Sequence, residues 1–292
     1  MNLWQEYVRP ATLSEALQAL SSSPGPAIPI AGGTDLMLDL QQGRHSPVHR
    51  LVDLTSVREM TVLEVRGKYL FIGAAVPVNL IVQHELVRSH AQALVEACDL
   101  IGGPQVRNMA TLGGNVAHAL PAADGTIALT VLDVQVEIAG QSGARSAAFT
   151  SLFAGPGKSN LRAGEELVVG FSLPIKKSGQ ASCFKRIMRP QGVALPILNT
   201  AVWLEREGES VRDVRIAVGP GGPVPFRAAQ AEAALKGKPV TEETIRAALL
   251  EVLAESRFRT SPQRASSDYR KHLISGLFRD TLLAAWDRAG KD

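Results

Sequence analysis

Two glycine-bearing segments constrain this chain more than any other feature. The first reads Ala31-Gly32-Gly33-Thr34-Asp35-Leu36, and the second reads Thr111-Leu112-Gly113-Gly114-Asn115 and runs on to Pro121-Ala122-Ala123-Asp124. Each sets consecutive glycines beside a hydroxyl residue. Glycine has no Cβ to hold a ligand off, and its N–H can point at an anion, so such a backbone suits close approach to a diphosphate. A single Gly-Gly pair is more often a plain turn, and neither segment has the GxGxxG or GxxxxGK[ST] spacing. The pair, in one chain, predicts an elongated ligand clamped between two lobes.

The order of elements supports that reading. Residues 12–20 have apolar positions at helical spacing, with Thr12 or Ser14 able to cap them. Residues 27–31 form a short apolar strand that enters the first glycine segment, a helix over 35–42 follows, and 51–54 reads as another strand. Strand, glycine turn, helix and strand make a small βαβ unit, in which a ligand sits at the carboxyl ends of the strands, facing the helix N-terminus. From Val62 the pattern changes to a hairpin over 62–73, helices over 78–85 and 91–98, and an apolar stretch over 127–139 that turns at Asp133. A strand over 167–174 closes this region. Residues 176–180 are charged, contain glycine and follow a proline, which marks a boundary. Beyond it, 182–188, 198–204 and 211–218 alternate as antiparallel strands, and 244–254 and 266–289 are helical.

Composition excludes several functions. A net charge of +3 over 292 residues is weak, and the basic residues cluster only at Lys176-Lys177 and Arg270-Lys271-His272. Nucleic-acid binding calls for a concentrated patch. Cys98 and Cys183 are the only cysteines and are far apart, which argues against an iron–sulfur cluster or structural zinc in this chain and for two thiols in a cytoplasmic protein. The histidines form no HExxH pair, and no serine lies in a GxSxG context. No stretch is apolar and long enough for a membrane span, and the N-terminus lacks a signal-peptide pattern. Gly155-Pro156-Gly157-Lys158 lacks phosphate-loop spacing and reads as a surface turn.

The chain resembles the FAD-binding subunits of the molybdenum hydroxylases, of the xanthine dehydrogenase and carbon monoxide dehydrogenase type, over nearly its whole length. The resemblance is carried by Ala31 to Leu36, by Gly103-Pro104-Gln105-Val106-Arg107-Asn108, and by Thr111-Leu112-Gly113-Gly114-Asn115-Val116-Ala117-His118-Ala119-Leu120-Pro121-Ala122-Ala123-Asp124. It implies an α+β fold. A two-lobed FAD-binding domain, with a small βαβ subdomain (1–57) and a mixed α+β subdomain (58–176), precedes a C-terminal α/β domain (177–292) that has a small antiparallel sheet and terminal helices.

The same resemblance implies the site. Ala31, Gly32, Gly33, Thr34, Asp35 and Leu36 would wrap the FAD pyrophosphate, with Leu36 near the isoalloxazine. Thr111, Gly113, Gly114 and Asn115 would hold the phosphates and ribityl chain from the other side, on a turn made by residues 103–108. His118 lies inside this loop, where packing is the favoured role. Asp124 would accept the hydroxyls of the adenosine ribose, as acidic residues do in dinucleotide sites. Arg107 is as readily a structural ion pair as a flavin contact. Lys185, Arg186 or Arg189 would place a positive charge near the ring, in a stretch where Pro190 takes the second position of the family's usual arginine pair. Leu120 departs from the small or polar residue usual there.

The implied activity is electron transfer in an oxidoreductase complex, with no catalytic side chain or metal ligand in this chain. Electrons would come from the clusters of an iron–sulfur small subunit, which receives them from a molybdopterin large subunit. They would leave from FAD to an external acceptor: NAD, a quinone or oxygen. The assembly implied is a heterotrimer, paired into a dimer of heterotrimers. The alternatives are a stand-alone FAD-dependent oxidoreductase and a non-enzymatic nucleotide-binding module.

Overall fold

The structure is a computed structural model that describes residues 2–189 and 195–291. Its first part holds β1 (Trp4–Val8), α1 (Leu13–Ser21), β2 (Ala27–Ile30), α2 (Leu36–Gln41) and β3 (Val48–Asp53). The three strands form a parallel sheet in the order β1-β3-β2, so β2–α2–β3 is the expected βαβ unit. The edge strand β1 was not anticipated, because its residues alternate between half-buried and exposed and carry no long apolar run. Thr12 caps α1 by accepting from the N–H of Glu15.

The second part opens with α3 (Arg58–Thr61), β4 (Leu63–Arg66) and β5 (Tyr69–Gly73). A helical run follows: α4 (Val78–Gln83), α5 (Glu85–His90), α6 (Gln92–Asp99), α7 (Pro104–Met109), α8 (Leu112–Ala117) and α9 (Asp124–Val131). Then come β6 (Gln135–Gly140), β7 (Gly143–Ala148), β8 (Phe153–Gly155), β9 (Lys158–Ser159) and β10 (Glu166–Pro174). Five of these strands make an antiparallel sheet in the order β4-β5-β10-β6-β7. Asp133 turns the chain between α9 and β6 with φ of 56°, as the sequence predicts. Two expectations are corrected. Residues 104–108, expected with Gly103 to form a turn, lie in helix α7, with Pro104 at its first turn and Gly103 as its cap. The second glycine segment is also helical, because Thr111 caps α8 by accepting from the N–H of Gly114.

The third part is a meander of β11 (Gln180–Met188), β12 (Pro196–Glu207) and β13 (Ser210–Gly219), followed by α10 (Ala229–Leu235), α11 (Glu242–Glu255) and α12 (Ser267–Ala289). The central strand β12 is buried on both faces through most of its length. One face meets α12, and the other meets α6 and α9 of the second part. A Cβ on Gly219 would stand 2.6 Å from Ile127 of α9, so the sheet lies close against that helix.

Glu96 of α6 bolts this junction. Its Oε2 accepts from the backbone N–H of Phe184 (2.7 Å) and its Oε1 accepts from Arg288 of α12 (2.7 Å). Glu96→Ala would strip the acceptor from the buried Phe184 N–H. The expected loss is about 2 kcal/mol, read as a lower urea midpoint by tryptophan fluorescence. An unchanged midpoint would show that the bolt contributes nothing.

Candidate cofactor site

The first glycine segment leaves the parallel sheet at the carboxyl end of β2. Gly33 has φ of 65°, a left-handed conformation that glycine adopts at little cost. A Cβ on Gly32 would lie 2.1 Å from the carbonyl oxygen of Met109 and 2.7 Å from the Cα of Ala110. Glycine at 32 is therefore required for the first segment to rest on the residues that lead into the second. Asp35 and His118, one from each segment, are 3.9 Å apart (Oδ2 to Nδ1). The fold thus brings together the two motifs that the sequence separates.

The two segments present different chemistry. Among the described residues, no acceptor takes the backbone N–H groups of Gly32, Gly33, Thr34, Asp35 or Leu36. Unpaired N–H groups at a strand-to-helix turn make an anion cradle. The N–H groups of the second segment are spent inside the protein. Those of Leu112 and Gly113 reach the carbonyls of Val76 (3.3 Å) and Ala74 (2.8 Å), and that of Asn115 reaches the carbonyl of Thr111 (3.0 Å). Its two glycines also differ. A Cβ on Gly113 would meet Ala74 at 2.6 Å, whereas one on Gly114, an exposed residue, would meet only the Thr111 hydroxyl at 3.2 Å. Gly113 is there for packing; Gly114 keeps an open surface.

Side chains supply the rest. Oδ1 of Asn115 is buried without a partner, so an acceptor of the second segment is left unsatisfied. Ala119, which follows His118, has φ of 55°. A residue with a Cβ pays for that conformation, and its carbonyl accepts from the N–H of Gly157 (3.0 Å). The Gly155–Lys158 turn is therefore the tip of the β8–β9 hairpin, laid against this loop. Leu36 is half-buried against the cluster of Ile30, Val48 and Leu51.

Asp124 is the first residue of α9 and is 5% exposed. Its Oδ2 accepts from Nη1 of Arg186 (2.5 Å) and its Oδ1 from Nδ2 of Asn199 (2.8 Å). The resemblance expects this carboxylate to accept the hydroxyls of a ribose. Here it is a buried node joining α9 to β11 and β12, and any ribose hydroxyl would share it with both partners. Asn199 was missed, though a clue existed: it interrupts an otherwise apolar stretch of strand. Burial raises the Asp124 carboxyl from an ordinary 3.8 to about 6, against the pull of Arg186 and Asn199.

The remaining basic candidates part company. Nε of Arg186 is buried without a partner, and its Nη2 lies 3.0 Å from Sδ of Met188. Arg189 is exposed and donates to the carbonyl of Arg264 (3.3 Å). Arg107 donates to the carbonyl of Gly102 (2.9 Å) and lies 3.9 Å from Asp99, a structural role. Pro190 lies outside the described residues. An open groove of about 760 Å³ lies between α6, β11 and α12. None of the glycine-segment residues lines it, and its walls mix Glu96, Asp99 and Asp280 with Lys185, Arg186 and His272.

The donor set fits FAD. An N–H cradle of five residues suits a pyrophosphate, and the second segment adds the open Gly114 and the unsatisfied amide oxygen of Asn115. Two predictions follow from the geometry. Gly113→Val should lower the melting temperature through overpacking worth roughly 1–3 kcal/mol, while Gly114→Val should leave it nearly unchanged; equal effects in a thermal melt would refute the packing argument. The second concerns pH. Asp124 holds its proton more tightly folded than unfolded, so its contribution to stability is full below about pH 4 and is lost as pH rises through about 6. Against Asp124→Asn, wild type should lose roughly 3 kcal/mol over that window; parallel stability curves would count against it.

Comparison with known proteins agrees with this donor set. The model for the FAD binding domain in molybdopterin dehydrogenase matches residues 3–176, and that for the CO dehydrogenase flavoprotein C-terminal domain matches residues 182–285. The chain is 30% identical to the putative xanthine dehydrogenase FAD-binding subunit of Escherichia coli K12, covering 97% of each chain. It is 32% identical to the nicotine 6-hydroxylase medium subunit of Paenarthrobacter nicotinovorans, again covering 97% of each. Among solved structures, carbon monoxide dehydrogenase from Hydrogenophaga pseudoflava superposes with a TM-score of 0.91 at 27% identity, covering 97% of this chain and 98% of that one.

Proposed function

The chain belongs to the family of FAD-binding subunits of molybdopterin dehydrogenases, an oxidoreductase subunit whose cofactor is FAD, and from that premise we propose how its residues hold the cofactor and where it works. The backbone N–H groups of residues 32–36 cradle the pyrophosphate. Gly114 keeps the opposite wall open, while Asn115 and Thr111 face the cofactor from the second segment. Asp124, fixed by Arg186 and Asn199, receives the ribose. The positive charge of Arg186 is the basic group of β11 best placed to reach the site, since it is buried and Asp124 takes only one of its nitrogens. Bound FAD supplies the chemistry of accepting and passing on electrons; the protein binds it, orients it and keeps water from the pyrophosphate.

Partner and acceptor belong to the proposal as well. The matched relatives include chains named as medium chains or subunits of dehydrogenase complexes. This chain works in such a complex, with an iron–sulfur subunit delivering electrons and a molybdopterin subunit oxidising the substrate. An external acceptor takes the electrons from FAD. Cys98 and Cys183 are both buried and far from thiolate reactivity, since burial pushes the Cys183 thiol up to about 12. Neither is suited to ligate a cluster, so the clusters reside in another chain. Among the described residues no helix is long and apolar enough to cross a membrane. We place the complex in the cytoplasm.

The observation that carries this reading is the unpaired N–H cradle at residues 32–36, held against the second segment by Gly32. The purified protein should carry a flavin spectrum through gel filtration and release FAD on denaturation. Gly114→Val should weaken FAD binding by about tenfold or more, through steric exclusion from a site of close backbone approach, with its melting temperature retained. A variant that keeps full flavin occupancy would remove the second segment from the site. A colourless wild-type protein, even when co-expressed with its neighbouring subunits, would overturn the cofactor assignment itself.

A further inference from the structure

A small cavity of about 90 Å³ lies at the junction of the second and third parts, and none of the glycine-segment residues lines it. Its wall is drawn from distant stretches of chain. Arg88 and His90 end α5, and Lys176 stands at the boundary between the parts. Ser182, Trp203 and Arg288 belong to β11, β12 and α12. Four of these side chains are basic, and among the described residues no Asp or Glu lines the cavity. A water molecule occupies roughly 30 Å³ in the liquid, so the space admits one small polyatomic ion and excludes a nucleotide.

The wall has hydrogen-bonding capacity to spare. Nδ1 of His90 is buried and has no partner among the described residues, a state that costs free energy until something fills it. Burial, then the charge of Lys176, hold His90 below its ordinary proton affinity, so the ring sits in a positive field. Ser182 is 4% exposed, and its hydroxyl oxygen accepts from the N–H of Ala93 (3.0 Å). Among the described residues no acceptor takes its hydroxyl proton. Nε of Arg88 donates to the carbonyl of Val82 (2.9 Å), and its two terminal nitrogens have no acceptor among the described residues. Arg288 is fixed in place by the carbonyl of Ser182 and by Oε1 of Glu96 (2.7 Å).

Cations that converge on a polar hole repel one another, and water leaves that repulsion in place. An anion removes it, and hydrogen bonds between charged groups are roughly twice as strong as neutral ones. The fork of Arg88 matches the paired oxygens of a tetrahedral ion. The Ser182 hydroxyl donates to a third oxygen, and Nδ1 of His90 meets either an oxygen or an ion's own hydroxyl, according to tautomer.

We propose that this cavity binds one inorganic tetrahedral oxyanion, phosphate or sulfate, held by Arg88, His90, Lys176 and the Ser182 hydroxyl. The ion joins α5 to the boundary segment and to β11, and so ties the second part of the chain to the third. The test is calorimetric titration of the FAD-saturated full chain with sodium phosphate and, separately, sodium sulfate, at constant ionic strength. One ion should bind per chain and raise the melting temperature, as a ligand of the folded state does. Arg88→Ala and Lys176→Ala should each weaken binding by about tenfold. Arg88→Glu, at an exposed position, should abolish it, and Lys177→Ala, outside the cavity, should bind as wild type does. The tighter of the two salts identifies the ion. No saturable binding to wild type, binding that Arg88→Glu retains, or an equal loss in Lys177→Ala would overturn the proposal. Flavin absorbance per chain reports separately on the cofactor assignment, so the two can fail independently.

Discussion

The arrangement of this protein depends on an atom that is missing. Without a Cβ at residue 32, the loop leaving the parallel sheet can lie directly on the backbone of Met109 and Ala110. Any other residue would push the βαβ unit away from the helical run that ends in α8. The contact is between backbone atoms, so no rotamer change can relieve a clash there. Close approach at this point brings two motifs far apart in sequence together, with Asp35 of the first 3.9 Å from His118 of the second.

A second constraint holds the third part of the chain in place. β12 needs cover on both faces, and α12 supplies only one. The other face is covered by α6 and α9, and the polar contacts of that junction include Glu96 and Asp124. Each carboxylate accepts from an arginine of the third part and from a further N–H. Buried carboxylates so paired are strongly destabilised when one partner is lost, which makes them effective at fixing register between elements. Asp124 is the more deeply buried of the two, 5% exposed.

Much of this was legible in the sequence, for identifiable reasons. The βαβ unit, the β4–β5 hairpin, the three-strand meander and the terminal helices have strong periodicity and obvious turn residues. The motif residues could be named because three segments, in this order along the chain, resemble those of a known family. Other features depended on tertiary contacts. β1 alternates between half-buried and exposed, and β7 is almost wholly exposed. Helix α7 was read as a turn; Gly103 caps it and Pro104 opens it, and proline is well accommodated in a first helical turn. The partners of Asp124 lie far along the chain, and the intrinsic pattern of β11 and β12 does not reveal which helix they will face.

The two glycine pairs also show why a motif is weaker evidence than the surroundings of each residue in it. As letters, Gly32-Gly33 and Gly113-Gly114 are equivalent. In the folded chain four different reasons apply. Gly32 is required by a backbone–backbone contact and Gly33 by a left-handed φ. Gly113 is required by the approach of Ala74, while Gly114 has space on almost every side. Only the last is free of a folding demand, so it is the position at which a ligand is the simplest account of the missing side chain. The N–H inventory agrees: the first segment leaves its donors unpaired, and the second uses them to cap a helix. The first segment therefore keeps donors free for an anion, and the second keeps an open glycine surface and one unsatisfied amide oxygen. This division of labour follows from where the hydrogen bonds go rather than from the glycine count.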